Sequence, residues 1–346
     1  MRQTVQFSHP EPQGRSSSVW PVFLPFGGCS GKCIYCAQDL QTGTAERDLA
    51  EIHSDLRQRL EITLPFKKTP PEMGFYGGTF TCLPRMWQQR FLSLADEYKQ
   101  RGLLTRIRCS TRPDAVTPDL LGELKRMGLD MVELGIQSLD DEVLRASRRG
   151  YSPDTARRGC GTVRDQGLEL GIQLMPGLPV QTPLGWLEEA FEISRLRPHS
   201  VRIYPCLVLE GTPLAELWKS GAYRPWDTER AIRAISRATL RLWRSDIPVI
   251  RIGLPPERDL LPHILAGPWH SALGSLVRSR VLFYLLLGHS HGRDQSPIRG
   301  LDCPQKYQGE LWGHRGANRR RLRNLGLSSQ CVRYTDRSEF TLYLGH

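Results

Sequence analysis

Apolar residues in this chain follow two habits. Short runs of four to eight, at positions 19–26, 72–76, 105–110, 131–136, 168–174, 200–204 and 249–252, read as strands. Between them, apolar positions fall three and four apart. That spacing predicts helices over 45–60, from Pro84 to Arg101, from Thr117 to near Gly128, from about 141, from Pro153, over 184–196 and over 227–243. Pro84 and the Thr117-Pro118 pair mark helix starts, because proline presets φ and threonine caps a free N–H. Strand and helix alternate six or seven times with connections of a few residues. This is the signature of a parallel sheet built from βα units, open or closed into a barrel.

Beyond position 255 the pattern changes. A turn and helix cover 267–287, a polar glycine-containing stretch 288–300, an arginine-rich helix 315–325, and strand-like runs 331–334 and 340–344. The expected division is a flexible lead-in over 1–18, a barrel over 19–255 and a small C-terminal domain over 256–346. The unusual polar and glycine signals follow the strands: a cysteine loop, Gly77-Gly78-Thr79, Arg112, Gln137-Ser138 and Pro176-Gly177. Loops at the C-terminal ends of parallel strands build the active site in such folds, so these residues are expected on one rim.

Cys29, Cys33 and Cys36 stand at C-x3-C-x2-C spacing directly after the first strand, where their sulfurs are able to converge on one metal centre. A structural zinc or an electron-transfer cluster normally takes four protein ligands. Three thiolates leave a position open for chemistry, which favours a [4Fe–4S] cluster with one free iron. The alternatives are a zinc site completed by a distant Cys or His, or three unrelated cysteines. The other six cysteines, Cys82, Cys109, Cys160, Cys206, Cys303 and Cys331, show no paired spacing and read as small buried hydrophobes, with Cys82 near enough to the rim to consider. This argues for a reducing, cytoplasmic setting. No apolar leader segment is expected at residues 1–20, and no apolar run reaches the ~18 residues of a membrane span. The net charge of +11, from 47 basic and 36 acidic residues, suits a polyanionic partner as well as an ordinary basic enzyme.

Six segments occur in order: the cysteine loop, Gly77-Gly78-Thr79-Phe80, Ser110-Thr111-Arg112-Pro113-Asp114, Glu133-Leu134-Gly135-Ile136-Gln137-Ser138, Met175-Pro176-Gly177-Leu178-Pro179 and Arg202-Ile203-Tyr204-Pro205. Together they resemble the radical S-adenosylmethionine (SAM) superfamily. The nearer likeness is to the radical-SAM half of the Elongator catalytic subunit, the more distant one to oxygen-independent coproporphyrinogen oxidase. The resemblance covers roughly residues 20–290. It implies an α/β fold, a partial TIM-type (β/α)6 barrel with a small C-terminal extension. It also implies an enzyme that uses a [4Fe–4S] cluster to cleave SAM reductively and abstract hydrogen from its substrate, with an electron donor such as ferredoxin or flavodoxin. Cys29, Cys33 and Cys36 resemble the cluster ligands, and Tyr35 the aromatic near the adenine. Gly77, Gly78 and Thr79 resemble the turn that meets the methionine amino group. Gln137 and Gln173 match positions at the SAM ribose, and Arg149 a carboxylate-pairing arginine. Ser110 and Gln173 stand where the coproporphyrinogen oxidase relatives carry acidic residues. The Elongator subunit has a longer gap between its first two cysteines, and an acetyltransferase domain for which the ~90 residues after position 255 are too few.

Glu133, Arg202 and Tyr204 alternate into strands facing the interior or rim, and a buried charge needs a partner or a ligand. They are substrate-site candidates. Arg112 and Asp114 read as a pair that structures a loop, and His289-x-His291 as surface residues. Arg315, Arg319, Arg320, Arg321 and Arg323, beside Trp312, are either a solvated helix face or a grip on RNA phosphates. The substrate reading that follows is tRNA or RNA modification. The alternatives are a tetrapyrrole-type small-molecule reaction, or a non-catalytic iron–sulfur protein that binds RNA or relays electrons.

Overall fold

The computed structural model describes residues 3–13, 18–29, 31, 33–38, 48–254, 260–290 and 298–345. Its centre is a curled sheet of seven parallel strands, β2 (Val19–Phe23), β3 (Glu72–Tyr76), β4 (Ile107–Thr111), β5 (Met131–Gln137), β6 (Glu169–Leu174), β7 (Ser200–Ile203) and β9 (Val249–Ile252), in the order β2-β3-β4-β5-β6-β7-β9. All six pairings are parallel. The sheet is a half-barrel: β2 and β9 are its two edges and do not meet. The crossovers run through α1 (Leu49–Thr63), α2 (Arg85–Gln100), α3 (Pro118–Arg126), α4 (Asp141–Ala146), α5 (Pro153–Asp165), α6 (Pro183–Leu196), α7 (Pro213–Lys219) and α8 (Thr228–Arg244).

The helices start where side chains can satisfy their free N–H groups. Thr117, Ser152, Thr182 and Thr212 each cap a helix with a side-chain oxygen, and each is followed by proline at the first helical position. The inner strands β3 to β7 are apolar and largely buried, whereas the edge strands β2 and β9 are partly exposed. Every residue of β5 except Gln137 is buried. The core under the helices joins Phe75, Phe91, Tyr98, Leu134, Trp186 and Ile203.

A second, smaller sheet follows α9 (Leu273–Ser290). Its strands are β1 (Gln3–Ser8), β11 (Ile298–Pro304), β12 (Val332–Thr335) and β13 (Glu339–Leu344), in the order β1-β13-β11-β12. This corrects the expectation of a flexible lead-in: β1 pairs antiparallel with β13 over six residues. Phe7 stacks on Phe340 at 5.0 Å and on His289 at 4.1 Å, and Glu11 forms an ion pair with Arg278 of α9. His289 is therefore a half-buried residue in the last turn of α9 and not a loop residue, whereas His291 lies outside the described residues. The expected arginine-rich helix is shorter than its pattern: Arg315 has φ 51°, between Gly313 and Gly316, and only α11 (Arg319–Asn324) is α-helical. The short helix α10 (Gln308–Trp312) precedes it, and a two-strand ribbon of β8 (Val208–Leu209) and β10 (Ile264–Ala266) completes the fold.

Candidate functional site

The concave face of the half-barrel holds a cavity of about 1440 Å³. Its wall at the C-terminal strand ends includes Cys29, Cys33, Tyr35, Cys36, Gly77, Gly78, Thr79, Gln137, Arg149, Gln173, Arg202 and Tyr204. All but one of the candidate cofactor and substrate residues within the barrel thus share one wall. Glu133 is the exception: it is 1% exposed and does not line the cavity.

Backbone contact between two loops positions the cysteines. Leu24 N–H donates to Tyr76 O at 2.7 Å and Thr79 N–H to Gly27 O at 2.7 Å, so the cysteine loop lies flat on the Gly77-Gly78-Thr79 turn. A Cβ on Gly78 would stand 2.0 Å from Gly27 O, and one on Gly28 would stand 2.3 Å from Thr79 O. Only glycine permits that approach. Cys29 Sγ lies 3.4 Å from the Thr79 hydroxyl. The start of α7 anchors the other side of the loop, through Leu214 N–H to Ile34 O at 2.9 Å. Burial, with Cys33 and Cys29 close by, pushes the Cys36 thiol up to about 12.

Arg149 is buried and held on two sides. It donates to Gly135 O at 2.6 Å and twice to the Tyr151 hydroxyl, at 3.0 and 2.9 Å; its third side meets Cys33 Sγ at 2.8 Å. Tyr151 in turn donates to the carbonyls of Gly135 and Ile136. This brace is not legible in the spacing of Arg149 and Tyr151 alone. Arg112 pairs with Asp114 at 2.7 Å and also donates to Arg149 O at 2.7 Å, which is the loop-structuring role expected of it.

Two buried polar atoms in the wall have no partner among the described residues, the Tyr35 hydroxyl and Gln137 Oε1. Gln137 also holds a left-handed φ of 68° at the end of β5, where the register with β6 slips. A non-glycine residue in that conformation is held there by its surroundings. Unpaired buried polar atoms cost free energy unless a ligand meets them.

Behind the wall lies a charge network. Glu133 accepts from Tyr76 at 3.0 Å, Arg108 at 3.1 Å, Gln173 at 3.1 Å and Arg202, whose Nε is 2.7 Å away. Arg108 also pairs with Glu72. Burial alone would raise the Glu133 carboxyl; Arg202 and Arg108 outweigh it and hold the group below its ordinary value. With four partners it is a hub that sets Arg202, Tyr76 and Gln173, so of the partner or ligand expected for this buried charge the structure shows the partners. Gln173 spends both amide hydrogens, on Ser110 at 3.0 Å and on Glu133, so what it has to offer a ligand is its acceptor oxygen.

The residues present suit an iron–sulfur cluster and SAM. Three cysteines sit on one wall with a position left for a further ligand, and two residues of the same wall, Tyr35 and Gln137, carry buried polar atoms without a partner. Among the described residues, no three His, Cys, Asp or Glu side chains converge on a single-ion site. Cys82 is exposed and outside the wall. Trp312 is half-buried, with its indole N–H donated to Tyr334 at 2.6 Å and Arg319 5.9 Å from its ring. No described helix is long and apolar enough to cross a membrane.

Comparison with known proteins agrees with this geometry. Residues 23–191 match the Radical SAM superfamily and residues 198–282 the Radical_SAM C-terminal domain. The chain is 34% identical over 289 residues to the tRNA uridine(34) acetyltransferase of Methanocaldococcus infernus, covering 71% of this chain and 53% of that protein. It is 30% identical over 228 residues to Elongator complex protein 3 of Mus musculus, covering 59% of this chain and 40% of that protein. The chain thus spans about half the length of these curated relatives, or less. Among solved structures, the archaeal Methanocaldococcus infernus Elp3 with an N-terminal deletion is similar with a TM-score of 0.59 at 26% identity, over 77% of this chain and 63% of that one. Coproporphyrinogen III oxidase from Escherichia coli shares the fold, with a TM-score of 0.50 at 22% identity over 69% of this chain and 54% of that one.

Proposed function

Because this chain belongs to the radical SAM superfamily, whose members use a [4Fe–4S] cluster and SAM, we propose that it modifies RNA, with tRNA as the leading substrate. The observation that carries the reading is the single cavity wall that gathers three cysteine thiols, a glycine turn and two unpartnered polar atoms at the strand ends. In it Cys29, Cys33 and Cys36 would hold the cluster, which with SAM would supply the radical chemistry of hydrogen removal from substrate.

The chain's own groups bind, orient and exclude. The Gly77-Gly78-Thr79 backbone receives the SAM amino group where the absence of side chains allows close approach. Arg149, braced by Tyr151, would meet the SAM carboxylate through the Nη1 that now lies against Cys33 Sγ. Tyr35 and Gln137 take the ribose and adenine side, and the acceptor of Gln173 a sugar hydroxyl. Arg202 and Tyr204, set by Glu133, face the substrate. A ferredoxin or flavodoxin supplies the electron, and the work is done in the cytoplasm. The RNA assignment is supported by the names of the relatives, tRNA uridine(34) acetyltransferase among them, and by the net charge of +11. No observation favours a tetrapyrrole substrate or a non-catalytic relay.

The test is anaerobic reconstitution followed by SAM and reductant. The expected result is a brown protein that forms 5′-deoxyadenosine, and whose gene deletion removes one modified nucleoside from total RNA. A colourless protein, or one that never cleaves SAM, would sink the enzyme reading; an unchanged nucleoside profile would sink the RNA substrate.

A further inference from the structure

Helix α8 carries Arg230, Arg233, Arg237, Arg241 and Arg244. Steps of three, four, four and three residues place all five along one side of a helix. At 1.5 Å rise per residue the stripe is about 21 Å long. All five are exposed, while Ala231, Ile235, Ala238 and Leu242 bury the opposite side. Among the described residues none of the five pairs with a carboxylate. The helix's one acid, Glu229, is turned to Arg280 at 3.0 Å and Arg321 at 3.1 Å.

An ordinary solvated face mixes signs, because like charges three or four apart repel. Here every neighbouring pair along the stripe is of like sign. The guanidiniums are also ordered. Arg230 lies over Trp226 at 5.3 Å, Arg237 over Tyr284 at 5.8 Å and Arg241 over Phe191 at 4.4 Å, three rings from three different parts of the chain. Rings beneath cations hold their planes in place without neutralising them. Arginine at all five positions suits phosphate, which it grips in a two-pronged way that lysine does not. The Glu229–Arg321 pair ties α11, which carries the exposed Arg319, Arg320 and Arg323, to the start of α8. Trp243, on the same helix, reaches the cavity wall.

We propose that the outer face of α8 is a phosphate-binding track for an RNA strand, continuous with α11. This rests on the reading of RNA as substrate and assigns that substrate its docking surface. A membrane-lying helix would set exposed apolar residues between its cations. The outer face of α8 has none, and the exposed Phe191 beside it is covered by Arg241.

The test uses the reconstituted full chain, fluorescein-labelled unfractionated tRNA and a salt series. The triple variant Arg233→Gln/Arg237→Gln/Arg241→Gln is expected to weaken binding by about tenfold or more and to flatten the log–log salt slope by about 2 to 3. The corresponding lysine triple keeps the slope. A control triple on other surfaces, Arg57→Gln/Arg90→Gln/Arg126→Gln, removes the same charge and moves the slope far less. SAM cleavage without RNA is unchanged in all three, which shows a folded barrel. A wild-type slope in the α8 glutamine triple, or an equal loss in the control, overturns the track while leaving the RNA substrate standing. No tRNA binding by the wild-type chain, with SAM cleavage intact, overturns the substrate reading and the track with it. If the α8 triple loses binding to phosphatidylserine vesicles but not to tRNA, the surface belongs to a membrane and the proposal fails.

Discussion

Glu133 is expected to matter more to the fold than to the chemistry. Glu133→Gln leaves Arg108 and Arg202 short of a buried counter-charge, a loss of about 3–5 kcal/mol by analogy with broken buried pairs. The sign of its pH dependence follows from the carboxyl's direction. Held below its ordinary value of 4.5 by Arg202 and Arg108 against burial, the group contributes stability fully above 4.5 and loses it as pH falls through the lower folded value. Urea melts of the two proteins should therefore converge in acid; a gap that stays constant with pH would refute the hub. The cysteines give the contrasting case. Cys33→Ala should lose bound iron and sulfide and SAM cleavage after reconstitution, while Cys82→Ala, whose thiol is exposed and outside the cavity, keeps both. Loss of the cluster in the Cys82 variant instead would reverse the ligand assignment.

Among the elements, the contact between the cysteine loop and the glycine turn is the one with least slack. Gly78→Ala puts a Cβ against the Gly27 carbonyl, which is backbone and cannot rotate away. Cluster retention and SAM binding should both drop, the latter by about tenfold or about 1.4 kcal/mol. Gly161→Ala, inside α5 with nothing within 4 Å of its Cβ, should raise stability by about 0.5–1 kcal/mol and leave SAM binding alone. Equal effects at the two positions would mean that the loop contact is not the constraint. The same elements show what the sequence makes legible. The inner parallel strands announce themselves because largely buried strands are nearly continuous apolar runs, and the partly exposed edges β2 and β9 because they too are short apolar runs. Segment β1 does not, since four residues of Gln-Thr-Val-Gln-Phe-Ser are polar and its partner β13 lies more than 300 residues away. The arginine-rich stretch has helical spacing from position 315, but the positive φ values of Gly313, Arg315 and Gly316 hold the helix off until Arg319. The α8 stripe has the pattern of any amphipathic helix, and only the missing carboxylates in three dimensions set it apart. Likewise the alternation along β5 could say that Glu133 points inward, but not that four partners already occupy it.

At the scale of the whole molecule, the two ends of the chain close the small sheet together. Phe7 is its keystone, stacked on Phe340 of β13 and on His289 of α9. Phe7→Ala should cost about 3–5 kcal/mol where a large aromatic leaves a cavity. If the small sheet unfolds as its own unit, hydrogen exchange will speed in β11, β12 and β13 while β4, β5 and β6 keep their protection. Uniform loss of protection would show the two sheets to be one cooperative unit. The family likeness was readable because its motifs sit on the rim of the large sheet; the small sheet, mostly beyond residue 282, falls outside both matched regions. The half-barrel's two edges carry a last consequence. An open strand edge offers unpaired N–H and C=O groups to any extended chain, the route by which sheets join and aggregate. Here β2 has Pro21 at its middle, which carries no N–H, and β9 is only four residues long. The two edges are thus poorly suited to zip onto a neighbouring strand, so the sheet is able to stay unclosed without its edges becoming sticky.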